Sequence, residues 1–206
     1  MIPQKIKEIY WFFLYPASFL LRPLYQLDYR LRKRHIKKIQ IGGGATYLAG
    51  FINLDASFFQ RVDYLLDTRV GLPFPDNSIE LIYSCHMLEH LFIEEALSAL
   101  KEWRRVLSPS GYLRLTLPDF DHAQKILSGQ GTSFFPRSFK SRSGMAINFL
   151  FCEGQHKYAY NFELLEELAK AIGFSKLVPA EVGRDENIKA GGFSEPPGSF
   201  SVNLFK

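Results

Sequence analysis

From Asn77 to Phe120 the chain reads NSIELIYSCHMLEHL…EWRRVLSPSGYLRLTLPDF. This stretch constrains the fold more than any other. Ile79 to Ser84 is an apolar run too short for a helix and apolar on both faces, as a central parallel strand must be. Ile93 to Leu107 follows with Leu97, Leu100, Trp103 and Leu107 at three- and four-residue spacing, the period of a helix. Ser108-Pro109-Ser110-Gly111 turns the chain, and Tyr112 to Leu117 forms a second strand that Pro118 stops. Strand, helix, strand in this order is one parallel crossover unit.

The same grammar extends both ways. Lys37–Ile41, Phe51–Leu54 and Val62–Leu66 read as strands upstream. A helix over Asn161–Ile172 is capped by Asn161 and ended by Gly173. Strands over Lys176–Val182 and Phe200–Phe205 complete the set. The pattern predicts an α/β fold: a Rossmann-like, doubly wound, mostly parallel seven-stranded sheet with helices on both faces. In such sheets ligands sit at the carboxyl ends of the strands. Every conspicuous polar cluster falls at such an end: Gly42-Gly43-Gly44, Asp55, Asp67, Ser84 to His86, and Pro118-Asp119.

At 206 residues with 47% apolar content, one domain with appendages is expected. Residues 37–206 form that domain, and residues 1–36 an aromatic and basic arm. A segment over 128–158 without clean periodicity reads as an inserted lid, and Gly183 to Ser199 as a second loop. The charge is unevenly spread. Residues 1–40 hold nine Lys/Arg against Glu8 and Asp28, a balance of +7, so the remaining chain carries −3 of the net +4. Phosphate contact needs a basic surface, so nucleic acid is not expected as a partner. Cys85 and Cys152 form no disulfide framework, which suits a reducing, cytoplasmic setting.

Ile9 to Leu21 carries no charge but is shorter than the roughly 20 residues a membrane span needs. Pro16 is expected to interrupt it and Arg22-Pro23 to end it. Two readings of the arm stay open. Its aromatics pack onto the domain, or Trp11, Phe12, Tyr15 and Phe19 enter a headgroup layer while the basic block Arg30 to Lys38 faces anionic lipid. On the second reading residues 1–38 hold the protein at the inner face of a membrane.

A glycine run after a first strand lets a ligand approach the backbone, and an acidic end to the second strand suits a ribose diol. No GxGxxG pattern and no Lys-Ser/Thr follow, so dinucleotide and P-loop readings are weak. IGGG…INLD…LLDTRVGLPFPDNSIELIYSCHMLEHL…RVLSPSGYLRLTLPDF resembles the class I S-adenosylmethionine-dependent methyltransferases of the small, single-domain, type 11 kind. The resemblance is tight over Lys37 to Asp119 and loose from Asn161 onward. It implies S-adenosylmethionine as cofactor. It further implies that Gly42, Gly43 and Gly44 back the methionine moiety and Asp55 holds the ribose. Asp67 and Thr68 would lie beside adenine, with Ser84 and His86 along the reacting sulfonium. Three departures stand out: Gln40 where the family often has an acid, only ten residues between Gly44 and Asp55, and ATYLAG in place of the third glycine.

An acceptor hydroxyl or carboxyl of a small molecule or glycan benefits from a general base. His156, His86 and Asp119 are the candidates, with His122 beside them. A non-catalytic scaffold of the same fold is the rival reading. His86-Met87-Leu88-Glu89-His90 also spells H-x-x-E-H, the inverzincin zinc signature. It begins at a strand end, so the two histidines need not share a helix face. No metal is expected, and Glu89 and His90 are expected to start or cap the helix that follows.

Overall fold

Short apolar runs form the sheet and amphipathic runs the helices. A computed structural model describes residues 4–133, 139–181, 188 and 196–206, with side chains described from residue 10 onward apart from 11 and 12. The strands are β1 (Lys38–Ile41), β2 (Ile52–Asp55), β3 (Tyr64–Leu65), β4 (Ile79–Cys85), β5 (Leu107–Pro118), β6 (Lys176–Ala180) and β7 (Ser199–Phe205). They make one seven-stranded sheet in the order β3-β2-β1-β4-β5-β7-β6. All pairings are parallel except those of β7, which runs antiparallel to both β5 and β6. The expected strand set and sheet type are therefore present. In register, Ile41 faces Ser84 and Cys85 faces Thr116, so the ends of β1, β4 and β5 lie side by side.

Side chains alternate across this sheet, as strand geometry requires. One face carries Ile39, Ile41, Ile52, Leu54, Leu113 and Leu115, all buried. Helix α2 (Ile93–Val106) packs there through Ala96, Ala99, Leu100, Trp103 and Val106, and α5 (Phe162–Ile172) through Leu165 and Ala169. Asn161 caps α5 by accepting from the Leu164 amide at 3.0 Å, and Gly173 ends it at φ 94°. The opposite face has a smaller core of Leu48, Phe51, Leu81, Tyr83 and Ile188. No helix forms between β1 and β2, because ten residues cannot hold two turns of chain and a helix between them.

Helix α1 (Gln4–Asp28) departs from expectation. It passes through Pro16 and Pro23 and runs on into a π-helical turn, Tyr29–Lys33. Proline deletes one ladder hydrogen bond, but the packing of one helix stripe outweighs that loss. Leu14, Ser18, Arg22, Tyr25 and Tyr29 recur at helical spacing and face the domain. Tyr25 stacks on Tyr64 with centroids 4.5 Å apart, and Tyr29 meets Phe74 edge-on. The Asp67 amide donates to Ser18 Oγ at 3.0 Å, and Arg22 donates to the Leu72 carbonyl. Tyr29 belongs to the main core, so this face of α1 packs on the domain.

The segment expected to be a lid also holds order. Helices α3 (Phe120–Ser128) and α4 (Arg142–Phe151) pack through Ala123, Ile126, Ala146 and Phe149. Most of the second expected loop lies outside the described residues.

Candidate active site

Gly42 and Gly44 have φ values of 70° and 54°, in the left-handed region that glycine enters without strain. A Cβ on Gly42 would strike the Met87 side chain, so the loop lies against the turn after β4. A Cβ on Gly44 would meet nothing within 4 Å. That backbone is open on the side where a ligand would lie. Gly43 packs inward, close to the Gln40 side chain.

Asp55 ties this loop to β2. Its Oδ2 accepts from the Gly44 amide at 2.8 Å, and its Oδ1 accepts from the Ser57 amide at 2.7 Å. A carboxylate offers about four lone-pair directions, so it keeps capacity for further donors. Ser84, at the end of β4, is fully buried, and among the described residues its hydroxyl has no hydrogen-bond partner. Orphaned buried hydroxyls are uncommon and mark a place where a ligand or water completes the structure.

Asp67 and Thr68 are placed differently. The buried Asp67 carboxylate takes two-pronged contact from Arg69 at 2.7 and 3.1 Å and also caps the turn Thr68–Val70. Thr68 Oγ1 accepts from the Trp103 indole at 3.1 Å. Both side chains thus serve the junction of α1, β3 and α2. A cleft of about 280 Å³ opens beside Thr68, lined by Arg22, Arg69, Gly71 and Glu102, with no part of the glycine loop in its wall.

The base candidates gather on the other side of the strand ends. His86 sits at φ 52°, directly after β4, with its amide bonded to the Thr116 carbonyl. Its Nε2 lies 2.7 Å from Ser199 Oγ, and its Nδ1 lies 3.6 Å from Glu89 Oε1. Asp119 caps α3 by accepting from the Asp121 amide, and its own amide donates to Gly198 beside that same serine. Burial pushes the Asp119 carboxyl above its ordinary range. His156 is buried. Its Nδ1 donates to the Leu150 carbonyl at 2.7 Å, and desolvation lowers its basicity. His122 lies farther along α3, with Nε2 on the Thr132 carbonyl.

Glu89 is the residue the sequence undervalued. It is 1% exposed, and among the described residues neither carboxylate oxygen has a hydrogen-bond partner. Desolvation pushes its pKa up to about 8, against a smaller opposing pull from its own backbone amide. It does not cap α2. Glu95 does that, accepting from the Phe92 amide at 3.0 Å. Leu88–His90 is a short 3-10 turn separate from α2, so His86 and His90 do not share a helix face as the H-x-x-E-H protease geometry requires. Instead His156 reaches Glu89 Oε1 at 3.9 Å and packs edge-on against the His90 ring. Ser199 could not be found from sequence, since it lies 113 residues from its partner His86.

Comparison with known proteins agrees with the strand order. The methyltransferase domain family matches residues 50–115. A SAM-dependent methyltransferase from Archaeoglobus fulgidus superposes with a TM-score of 0.54 at 16% identity, covering 90% of this chain and 94% of that one. A SAM-dependent methyltransferase from Thermotoga maritima, a possible histamine N-methyltransferase, gives 0.51 at 17% identity over 92% and 93%. No curated protein matches the sequence. With six strands in the order of a nucleotide-binding sheet and an antiparallel seventh inserted between the last two, the fold is that of the class I S-adenosylmethionine-dependent methyltransferases, and residues 50–115 match their methyltransferase domain family.

Proposed function

We propose that the protein is an S-adenosylmethionine-dependent methyltransferase acting on an oxygen of a small molecule or sugar in surface-glycan assembly. The observation that carries this reading is the hydrogen bond from the Gly44 amide to Asp55, which sets an open glycine backbone beside an acidic strand end. Gly42, Gly43 and Gly44 would back the methionine moiety, Asp55 would accept from the ribose hydroxyls, and Ser84 Oγ would find its missing partner there. Asp67 and Thr68 would contribute through the backbone next to adenine, since their side chains are engaged elsewhere. When bound, the cofactor supplies a methyl group already activated on a sulfonium. The chain itself then needs to align the acceptor and take its proton. His86 and Asp119 stand at the strand ends where that proton would be taken. His156, tied at Nδ1, positions Glu89 and the segment above it.

The test is calorimetry with S-adenosylhomocysteine on the wild type and Asp55→Ala. A hydrogen bond to a charged group contributes about 1.5–3 kcal/mol, so the variant should bind at least about tenfold more weakly. No binding by the wild type at millimolar ligand would favour the scaffold reading, which gains weight from the engaged side chains of Asp67 and Thr68.

The outer face of α1 supports a location at a membrane surface. Phe13, Leu20, Leu24, Leu27 and Leu31 form an exposed stripe opposite the packed one, with Leu20 78% and Leu31 73% exposed. Phe58 and Phe59 extend it beside Tyr10. Exposed Arg30, Arg32 and Arg34 follow directly. Among the described residues no helix is long and apolar enough to cross a membrane. An apolar stripe next to exposed cations suits the surface of an anionic membrane, where each cation contributes about 1 kcal/mol. A glycan acceptor carried on a lipid would be presented at such a surface.

A further inference from the structure

We infer that Glu89, His90 and His156 bind a divalent transition-metal ion, zinc being the best fit. This reverses the expectation that the segment holds no metal. One ligand atom from each residue lies within 4.8 Å of the others. Two histidine nitrogens and one carboxylate are a recognised zinc donor set, with the fourth tetrahedral position left to water.

Three features of the surroundings support a built site. The first is chemical need. A fully buried carboxylate with no hydrogen-bond partner is costly unless a cation or a proton balances it. Among the described residues no lysine or arginine is paired with it; the His86 and His156 rings lie 3.6 and 3.9 Å from its Oε1. The second is ligand orientation. His156 Nδ1 donates to the Leu150 carbonyl at 2.7 Å, and His90 Nδ1 lies 3.2 Å from the Gln155 carbonyl. A carbonyl can only accept, so in each neutral ring Nδ1 carries the proton and Nε2 the lone pair. This is the outer-shell arrangement that aims histidines at a metal. The third is a preset frame. The Lys157 and Tyr158 amides both donate to the Glu89 carbonyl, at 2.7 and 3.3 Å, fastening the His156 segment to the Leu88–His90 turn.

Ligand atoms around a tetrahedral ion with bonds of about 2.0–2.1 Å stand about 3.4 Å apart. Metal binding would draw these atoms together from their present spacing of up to 4.8 Å. His90 is exposed, so a hydrated ion has a way in. The bound ion would staple the end of α4 to the turn after β4. That is not the H-x-x-E-H protease scheme: Glu89 is a ligand here, and His156 replaces His86.

The test is zinc content and affinity of the full chain. Protein stripped with a chelator, then dialysed against zinc chloride, should hold one zinc per chain and melt at a higher temperature than the stripped form. His90→Ala changes an exposed side chain and should fold. It should bind zinc more than about 100-fold more weakly, since losing even an outer-shell partner costs 10–100-fold. Glu89→Gln should do the same, and His122→Ala should retain wild-type affinity. A folded wild type that takes up no zinc at saturation would leave Glu89 holding a proton and overturn the proposal. So would a His90→Ala variant that binds as tightly as the wild type. Binding of S-adenosylhomocysteine by metal-free protein bears only on the function proposed above.

Discussion

Single residues in the glycine loop separate folding from binding. Gly42→Ala places a Cβ on Met87 and forces a side chain into the left-handed region. Both effects act in the folded state, so a loss of about 2–4 kcal/mol is expected from strain and overpacking. Gly44→Ala meets open space and carries only the conformational cost of about 1–2 kcal/mol. Thermal melts should therefore rank Gly42→Ala well below Gly44→Ala. Calorimetry should show that Gly44→Ala, although folded, loses most affinity for S-adenosylhomocysteine. Equal stability of the two variants would mean the loop lies differently against Met87. The glycines and Asp55 were legible in the sequence because each sits at a strand end, where chain order alone predicts exposure to a ligand. Ser199 and the engagement of Asp67 by Arg69 were not, because both depend on which neighbour a side chain meets in space.

Among the elements, α1 makes the sharpest division between two faces of one helix. Tyr29→Ala opens a cavity in the main core and should cost about 3–5 kcal/mol, the range for a buried aromatic. Leu24→Ser on the outer stripe should change stability by no more than about 0.5 kcal/mol. If the stripe meets membrane, a Leu20→Ser, Leu24→Ser, Leu27→Ser variant should fold as the wild type does yet leave anionic vesicles in a sedimentation assay. Wild-type binding should weaken with salt, since charges are screened beyond about 8 Å at physiological ionic strength. A wild type that ignores anionic vesicles at low salt would refute the membrane reading. The sequence suggested a run broken by Pro16 and ended by Arg22-Pro23, and its two stripes, superimposed in one dimension, read as one continuous apolar segment. Only the helix separates them. Helix α4 was hidden for a different reason: its ten residues are mostly apolar or small and show little polar contrast.

At the scale of the whole molecule, the sheet was the most legible feature, since strand order follows from alternation and connection rules that need no side-chain detail. The absence of a helix between β1 and β2 was foreshadowed by the short link between them. Acid stability belongs to this scale too. Glu102 accepts from Arg105 and the Leu72 amide and lies near Arg22, while Asp63 pairs with Lys33 and accepts from Asn53. Both carboxyls are held below their ordinary values despite burial, chiefly by those hydrogen bonds. A depressed folded pKa stabilises at pH above the unfolded value, near 4, and that stability is lost as pH falls through the folded value. Melting temperature should thus fall steeply below about pH 4. Glu102→Gln should start lower at neutral pH and show a flatter acid limb. An unchanged acid limb in that variant would assign the transition to other groups.

The insertion of β7 between β5 and β6 sets the order in which the sheet can be closed. Every other strand pairs with a neighbour that precedes it or comes soon after it, but among the described residues β6 pairs only with β7, which follows it in sequence. Its first residue also supplies the hydroxyl on His86. A growing chain therefore carries most of its core before it has a complete site, and β6 must wait with both edges open until β7 slots in beside it. Docking of β7 thus does two things in one event: it closes the sheet between β5 and β6 and places a partner on His86.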